Sequence, residues 1–302
     1  MTYGNGQHTE ERRQMSSAPQ APTGLSTLHH PLSTAAGAIR LYTRYIAVSI
    51  RSQMQYRASF LMLSIGQFLV TGMEIVATWA LFDRFGSLGG WRLAEVALFY
   101  GMIHVAFALA EGAARGFDTF PGMVRSGDFD RLLLRPRGTA FQVAARELQL
   151  MRVGRLAQGL LVLIWAAIAL DVQWTPDRFA LLLFSLASGT CLFSGLFVLN
   201  ATFAFWSTES LEIFNTVTYG GVETAQFPLS IYRPGFRKFF TFVVPLACVA
   251  YFPGLVILGK PDPTGESALW FRWLAPLIGI AFLLATLQVW RFGVRHYRST
   301  GS

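Results

Sequence analysis

Three ionisable residues lie inside long apolar stretches of this 302-residue chain, and a second set crowds the polar stretch that follows them. Glu74 falls within SFLMLSIGQFLVTGMEIVATWALF, and His104 and Glu111 fall within AEVALFYGMIHVAFALAEGAA. A charge at mid-bilayer costs at least about 2.5–3.5 kcal/mol on insertion scales, so such groups face protein or a water path. Glu74 is expected either to line a cavity or to hydrogen-bond a neighbouring helix, and His104 to make an interhelical hydrogen bond. Glu111 and Arg115 stand one helical turn apart and can pair. The second set is Arg125, Gly127, Asp128, Asp130, Leu133, Arg135 and Pro136, within RGFDTFPGMVRSGDFDRLLLRPRG, residues 115–138. That stretch is amphipathic. Gly127 permits a tight turn between two short helices, and Asp128 or Asp130 can cap the second. Ordinary bundle connections run about 2–8 residues, so one this long is a natural handle for a soluble partner.

Other chemistry is missing from the sequence. There is no HExxH, and the five histidines show no metal spacing. No convergent catalytic set is visible, which argues against an enzyme. No GxxxxGK[ST] is present, because Lys238 follows Phe-Arg and Lys260 precedes a proline. Cys191 and Cys248 sit in apolar segments and read as small core residues. Asn200-Ala-Thr202 matches a glycosylation pattern by chance, inside an apolar stretch. Gly112-x-x-x-Gly116 fits a close helix contact.

A helical membrane bundle must position these groups. The chain is 53% hydrophobic and only 14% charged, with mean hydropathy +0.41. Soluble domains carry about a quarter charged residues. The net charge of +8 does not indicate nucleic acid, because the arginines cluster beside apolar segments with no basic stripe. Residues 1–35 are Gly-, Ser-, Pro- and Gln-rich and are expected to be a disordered tail. Arg12 and Arg13 are not followed by an apolar run, so no cleavable signal peptide is expected. Residues 38–57 place Arg40, Arg44 and Arg51 on one side, opposite Ile39, Tyr42, Ile46 and Ile50. This fits an amphipathic helix lying in the interface with membrane lipid.

Apolar spans are expected at about 59–82, 94–114, 148–170, 178–205 and 269–290. Trp91 and Trp174 in the intervening loops read as interface anchors. Two further segments compete for one more crossing. Residues 211–230 are only moderately apolar, and residues 239–258 are strongly apolar but contain Pro245 and Pro253. Counting both would put Arg291, Arg295 and Arg298 outside. Basic residues concentrate at 36–57, 115–147 and the C-terminus, which the positive-inside rule assigns to the cytoplasm. Hydropathy and charge alone favour 239–258 as the crossing.

The pattern Arg125-x-Gly127-x-x-Asp130-x-Leu132-Leu133-x-Arg135-Pro136 resembles the signature of a branch of ABC-2 type ABC-transporter permeases. So does the upstream set Phe82, Gly86, Leu88, Gly90 and Trp91. Phe227-Pro228 with Ile231-Tyr232 is similar to that branch too, as are Val244-Pro245-Leu246 and Tyr251-Phe252-Pro253. The resemblance runs from about residue 38 to 298 and leaves out the tail. It implies an all-α membrane protein of six transmembrane helices with an N-terminal interfacial helix, like the ABC-2 exporters. It implies that 115–138 is the ATPase-coupling element, that 211–230 is the fifth span, and that 239–258 is a re-entrant segment outside. It also implies a separate ABC ATPase subunit carrying ATP and Mg, no cofactor on this chain, and a second permease in a homo- or heterodimer. A secondary transporter or channel using Glu74, His104 and Glu111 is the competing reading. That class often shows inverted repeats, and none is found. Arginine-rich composition hints at a bacterial cytoplasmic membrane protein.

Overall fold

The computed structural model describes residues 35–135, 137–147, 152–170, 172–207, 211–265 and 267–297. Residues 1–34 of the expected tail, Pro136 of the signature, residues 148–151 at the start of the third expected span, and Arg298 lie outside them. Contacts divide the chain into a unit ending at Arg44 and a unit from Tyr45 onward.

The order is α1 (Ala35–Gln53), α2 (Arg57–Phe85), α3 (Leu93–Asp118), α4 (Phe120–Arg125), α5 (Asp128–Leu133), α6 (Thr139–Ala144), α7 (Val153–Ala169), α8 (Pro176–Phe203) and α9 (Leu211–Ala225). It continues with α10 (Pro234–Lys238), α11 (Phe252–Leu258), α12 (Leu269–Leu274) and α13 (Leu277–His296). Among the described residues the nearest thing to a strand is the single bridge pair Leu88–Trp91. The protein is all-α, as the apolar runs require.

Four helical stretches among the described residues are long and apolar enough to cross a membrane: α2, α3, α8 and α13. α2 has 29 residues, about 43 Å at 1.5 Å per residue, against a hydrocarbon core of about 30 Å. α7 is apolar but has 17 residues. α3 is the hub. Its most apolar window is 83% buried, whereas that of the α1–α2 stretch is 6% buried. α3 packs on α7 and α8, and α8 carries α13 on another side. Apolar side chains gain little by leaving lipid, so close van der Waals fit must hold these contacts. Gly116 is an instance. A Cβ there would collide with the Val143 carbonyl on α6, while Gly112 faces open space. Of the two expected contact glycines, only Gly116 makes a close approach.

Several expectations need correction. The helix expected over 211–230 stops at Ala225. Pro228 has no N–H and its ring disfavours helix in the residue before it, so the chain turns at Gln226 and Phe227. The helix expected over 269–290 splits into α12 and α13 at Ala275-Pro276, for the same missing N–H. The 239–258 segment begins earlier, with α10. Its two arms, Pro234–Val243 and Ala247–Leu258, meet at 84°. Val244, just before Pro245, is extended (φ −118°, ψ 90°), as a pre-proline residue should be. A bend that sharp suits a broken span or a re-entrant loop.

Trp91 is not an interface anchor. It is 2% exposed. Its Nε1 donates to Ser230 Oγ at 3.0 Å, Lys260 Nζ lies 4.7 Å from its ring centre, and its ring meets Phe99 edge-on at 5.5 Å. Lys260 also pairs with Glu95 at 2.8 Å. Trp91 and Ser230, 139 residues apart in sequence, thus meet at one end of the bundle. Trp174 is 37% exposed, as an anchor would be.

Candidate functional site

The 115–138 segment lies at the other end of the bundle. Its first residues, to Asp118, continue α3. α4 follows with Pro121 in its first turn, where a missing N–H costs nothing. Gly127 then takes φ +72°, the left-handed region that glycine enters without strain. Its N–H donates to Val124 O at 3.3 Å, and its carbonyl accepts from Asp130 N at 3.2 Å. The expected cap is corrected here. Gly127 itself holds the position before α5, and no side chain caps the helix. Asp128 turns instead to Arg146 at 3.2 Å and Arg131 at 3.7 Å. The hydrogen bond from Arg146 holds the Asp128 carboxyl below its ordinary value, slight burial opposes it, and the two guanidinium charges reinforce it.

The inner face of the segment is aromatic. Phe120 and Phe129 meet edge-on at 5.0 Å. Phe120 lies 4.9 Å from Trp290, and Phe129 lies 5.0 Å from Tyr297. Trp290 donates its indole N–H to Thr139 Oγ1 at 3.0 Å, so α13 is fastened to α6. Burial, and next the carboxylate of Asp130, push the Tyr297 phenol up. Asp130 therefore sits against the end of α13. The outer face is different in kind. Leu133 is 41% and Leu134 86% exposed, and Arg125, Arg131 and Arg135 of the same segment are exposed too. Of the signature residues, Gly127 and Asp130 serve the internal geometry, while Arg125, Leu133 and Arg135 face outward.

Glu111 is fully buried, and its partner set is larger than the expected Arg115. Arg155 donates to Oε2 at 3.2 Å, and Arg152 lies 3.3 Å from Oε1. Arg115 is farther, at 3.9 Å, and also pairs with Asp118. Only the Arg155 contact is an aligned hydrogen bond. Sequence reasoning missed Arg152 and Arg155. Their signal was two arginines three apart at the start of an apolar helix.

Glu74 and His104 join a second polar group deeper in the bundle. Tyr100 donates to Thr71 O at 3.0 Å and reaches Glu74 Oε2 at 3.4 Å. Gln158 donates to Tyr100 Oη at 3.0 Å. His104 Nε2 lies 3.1 Å from Gln226 Oε1 and 3.8 Å from Glu74, and its ring stacks on Tyr100 at 3.9 Å. His104 thus bonds the turn that follows α9 rather than a residue within a helix, and Glu74 bonds a neighbouring helix. Glu74 keeps 31% of its side chain exposed. Glu111 does not join this network through any contact described above. No cluster able to hold a metal ion occurs among the described residues.

The segment thus presents two exposed leucines, with exposed arginines beside them in sequence, on short helices packed against the last apolar helix. Residues 68–301 match the family described as ABC-2 family transporter protein. The chain belongs to that family. It is therefore a multi-pass membrane protein and the permease of an ABC transporter, and it associates with an ABC ATPase. The family makes it a transport subunit. No curated protein and no solved structure matches the chain. Nothing in the match supports a secondary transporter driven through Glu74, His104 and Glu111.

Proposed function

We propose that this ABC-2 permease is half of an ATP-driven exporter in a bacterial cytoplasmic membrane, working as a dimer with a second permease, like or unlike. Its six crossings are α2, α3, α7, α8, α9 and α13. Both termini and the 115–138 segment face the cytoplasm, and α10–α11 form a re-entrant element outside. ATP and Mg bind the partner ATPase and not this chain. A path lined by Phe and aliphatic side chains would suit a hydrophobic or amphipathic cargo. The family match over residues 68–301 carries the reading, and the absence of any GxxxxGK[ST] agrees with an engine on another chain.

The coupling role falls on Arg125, Gly127, Asp128, Asp130, Leu133, Arg135 and Pro136. ATP-driven closure of two ATPase subunits presses on the exposed leucine and arginine face. Phe120 and Phe129 pass the displacement to Trp290 and so to α13, because close-packed rings shift as a unit rather than deform. The spans then rock and open the path outward. Glu74 and His104 stand where a path beside α2 would pass, and Glu111 lies at its cytoplasmic mouth.

The direct test is co-purification. Tagged permease co-expressed with the ATPase from its gene neighbourhood should retain that ATPase and show vanadate-sensitive ATP hydrolysis. Permease that purifies alone under every detergent tried would remove the reading. The topology has its own test. An Arg237→Cys variant, in a background with Cys191 and Cys248 replaced by serine, should be labelled in intact cells by an impermeant maleimide. Labelling only after lysis would make 239–258 the fifth crossing and return Arg237 to the cytoplasm.

A further inference from the structure

The polar group around His104 extends to a second acid. Gln226 Nε2 donates to Glu223 Oε2 at 2.8 Å, while Gln226 Oε1 faces His104. Glu74 on α2 and Glu223 on α9 are thus joined through His104 and Gln226. Among the described residues neither carboxylate forms a salt bridge to a lysine or arginine. Arg155 attracts Glu74 from beyond pairing distance, but its hydrogen bond goes to Glu111. Glu74 is partly exposed. Glu223 is exposed on the face of α9 that also carries exposed Thr216, two turns earlier.

The same group is short of hydrogen-bond donors. Tyr100 gives its one hydroxyl hydrogen to Thr71 O, the nearer of its two acceptors. His104 Nε2 faces two acceptors, Gln226 Oε1 and Glu74 Oε2, so it carries the ring hydrogen and Nδ1 is left as an acceptor. That Nδ1 and Gln158 Oε1 are both buried without a hydrogen-bond partner among the described residues. An unmet buried acceptor costs about 1–3 kcal/mol, and a charge at mid-bilayer at least about 2.5–3.5 kcal/mol. A positively charged group bearing N–H donors answers both shortages. A second copy of this chain would bring no such group to that depth. No lysine or arginine falls in the middle third of α2, α3, α7, α8, α9 or α13.

We propose that Glu74 and Glu223 bind the cationic head of an amphipathic cargo, an alkylammonium or alkylguanidinium. Hydrogen bonds from a charged N–H to a carboxylate are about twice as strong as neutral ones, and they strengthen further where water is excluded. Val70, one helical turn before Glu74, is 63% exposed and offers apolar surface to the cargo's tail. The inference rests on the path beside α2 proposed above. Its test reads binding alone, so it can fail while ATPase association holds.

The permease with its ATPase subunit, in phosphatidylcholine nanodiscs, is dialysed to equilibrium against n-octylguanidinium, n-octanol or n-octyl sulfate. Empty nanodiscs correct for partition into lipid. Octylguanidinium should bind about tenfold or more tightly than either of the others. Glu74→Gln and Glu223→Gln keep the size of the side chain and remove its charge. Each should cut octylguanidinium affinity about tenfold, and E74Q/E223Q should abolish the preference. Asp83→Asn, which removes an exposed acid in the last turn of the same helix, should leave it intact. The ATPase recovered with each variant reports its folding, and the two single variants act from different helices, so either one that assembles is enough for the comparison. Equal binding of the three compounds, undiminished affinity in the glutamine variants, or equal loss in Asp83→Asn would overturn the proposal.

Discussion

Gly127→Pro is expected to abolish ATPase association and transport while the permease still inserts in the membrane. Gly127 sits at φ +72°, and proline is locked near −65°. Proline also removes the N–H that donates to Val124 O at 3.3 Å. Forcing such a residue into a left-handed position costs about 1–3 kcal/mol. α5 has only six residues, too few to hold itself in place once its entry turn is lost. Phe129 would then leave Phe120 and Trp290, and the leucine and arginine face would lose its fixed aim. The spans assemble through other contacts, so insertion should survive. Gly127→Asn is the matched control, since asparagine visits the left-handed region at modest cost; it should keep most of the association. Asp130→Arg should resemble the proline variant, because it sets a cation where Tyr297 now meets a carboxylate. The readouts are membrane-fraction yield and recovery of ATPase on the tagged permease. A Gly127→Pro protein that recovers ATPase and transports like the parent would remove the coupling role from this segment.

Glu111→Ala is expected to destabilise the folded permease by about 3–5 kcal/mol, the usual result of stripping one partner from a buried ion cluster. Glu111 is fully buried, while Arg115, Arg152 and Arg155 keep only 16%, 14% and 13% of their side chains exposed. Without the carboxylate, three guanidinium groups stay in the bundle, and of them Arg115 keeps its pairing with Asp118. Arg155 would keep its position over the Phe107 ring, 5.1 Å from its centre, which recovers little of the loss. The measurement is the thermal midpoint of monodispersity in detergent. E111A/R155M should regain part of the deficit, because it removes a charge together with its counter-charge. An unchanged midpoint in Glu111→Ala would show that water already solvates these arginines, and would remove the buried ion cluster as a source of stability.

Much of the fold was legible in the sequence because lipid leaves few options. A backbone that cannot bond to water must form helices or a closed barrel, and the long continuous apolar runs select helices and mark where they run. That constraint is local, so α2, α3 and α8 could be placed from composition alone. Gly127 was legible for a related reason: only glycine enters a left-handed turn cheaply, so its type announced its geometry. Helix ends were less readable at Ala225 and at Ala275-Pro276. There a proline cut an apolar run that hydropathy treats as continuous.

The sequence by itself determined an all-α membrane chain, with its arginines concentrated beside particular helix ends and a turn-separated pair of short helices after α3. Only the tertiary structure decided what those residues touch. It turned Trp91 from an interface anchor into a buried partner of Ser230 and Lys260. It gave Glu111 two arginines from α7 and the turn before it, and it set Phe120 and Phe129 on Trp290. Each of these contacts joins residues far apart in the chain. Period and composition report which face of one helix is apolar, and they carry no term for which other helix will cover it.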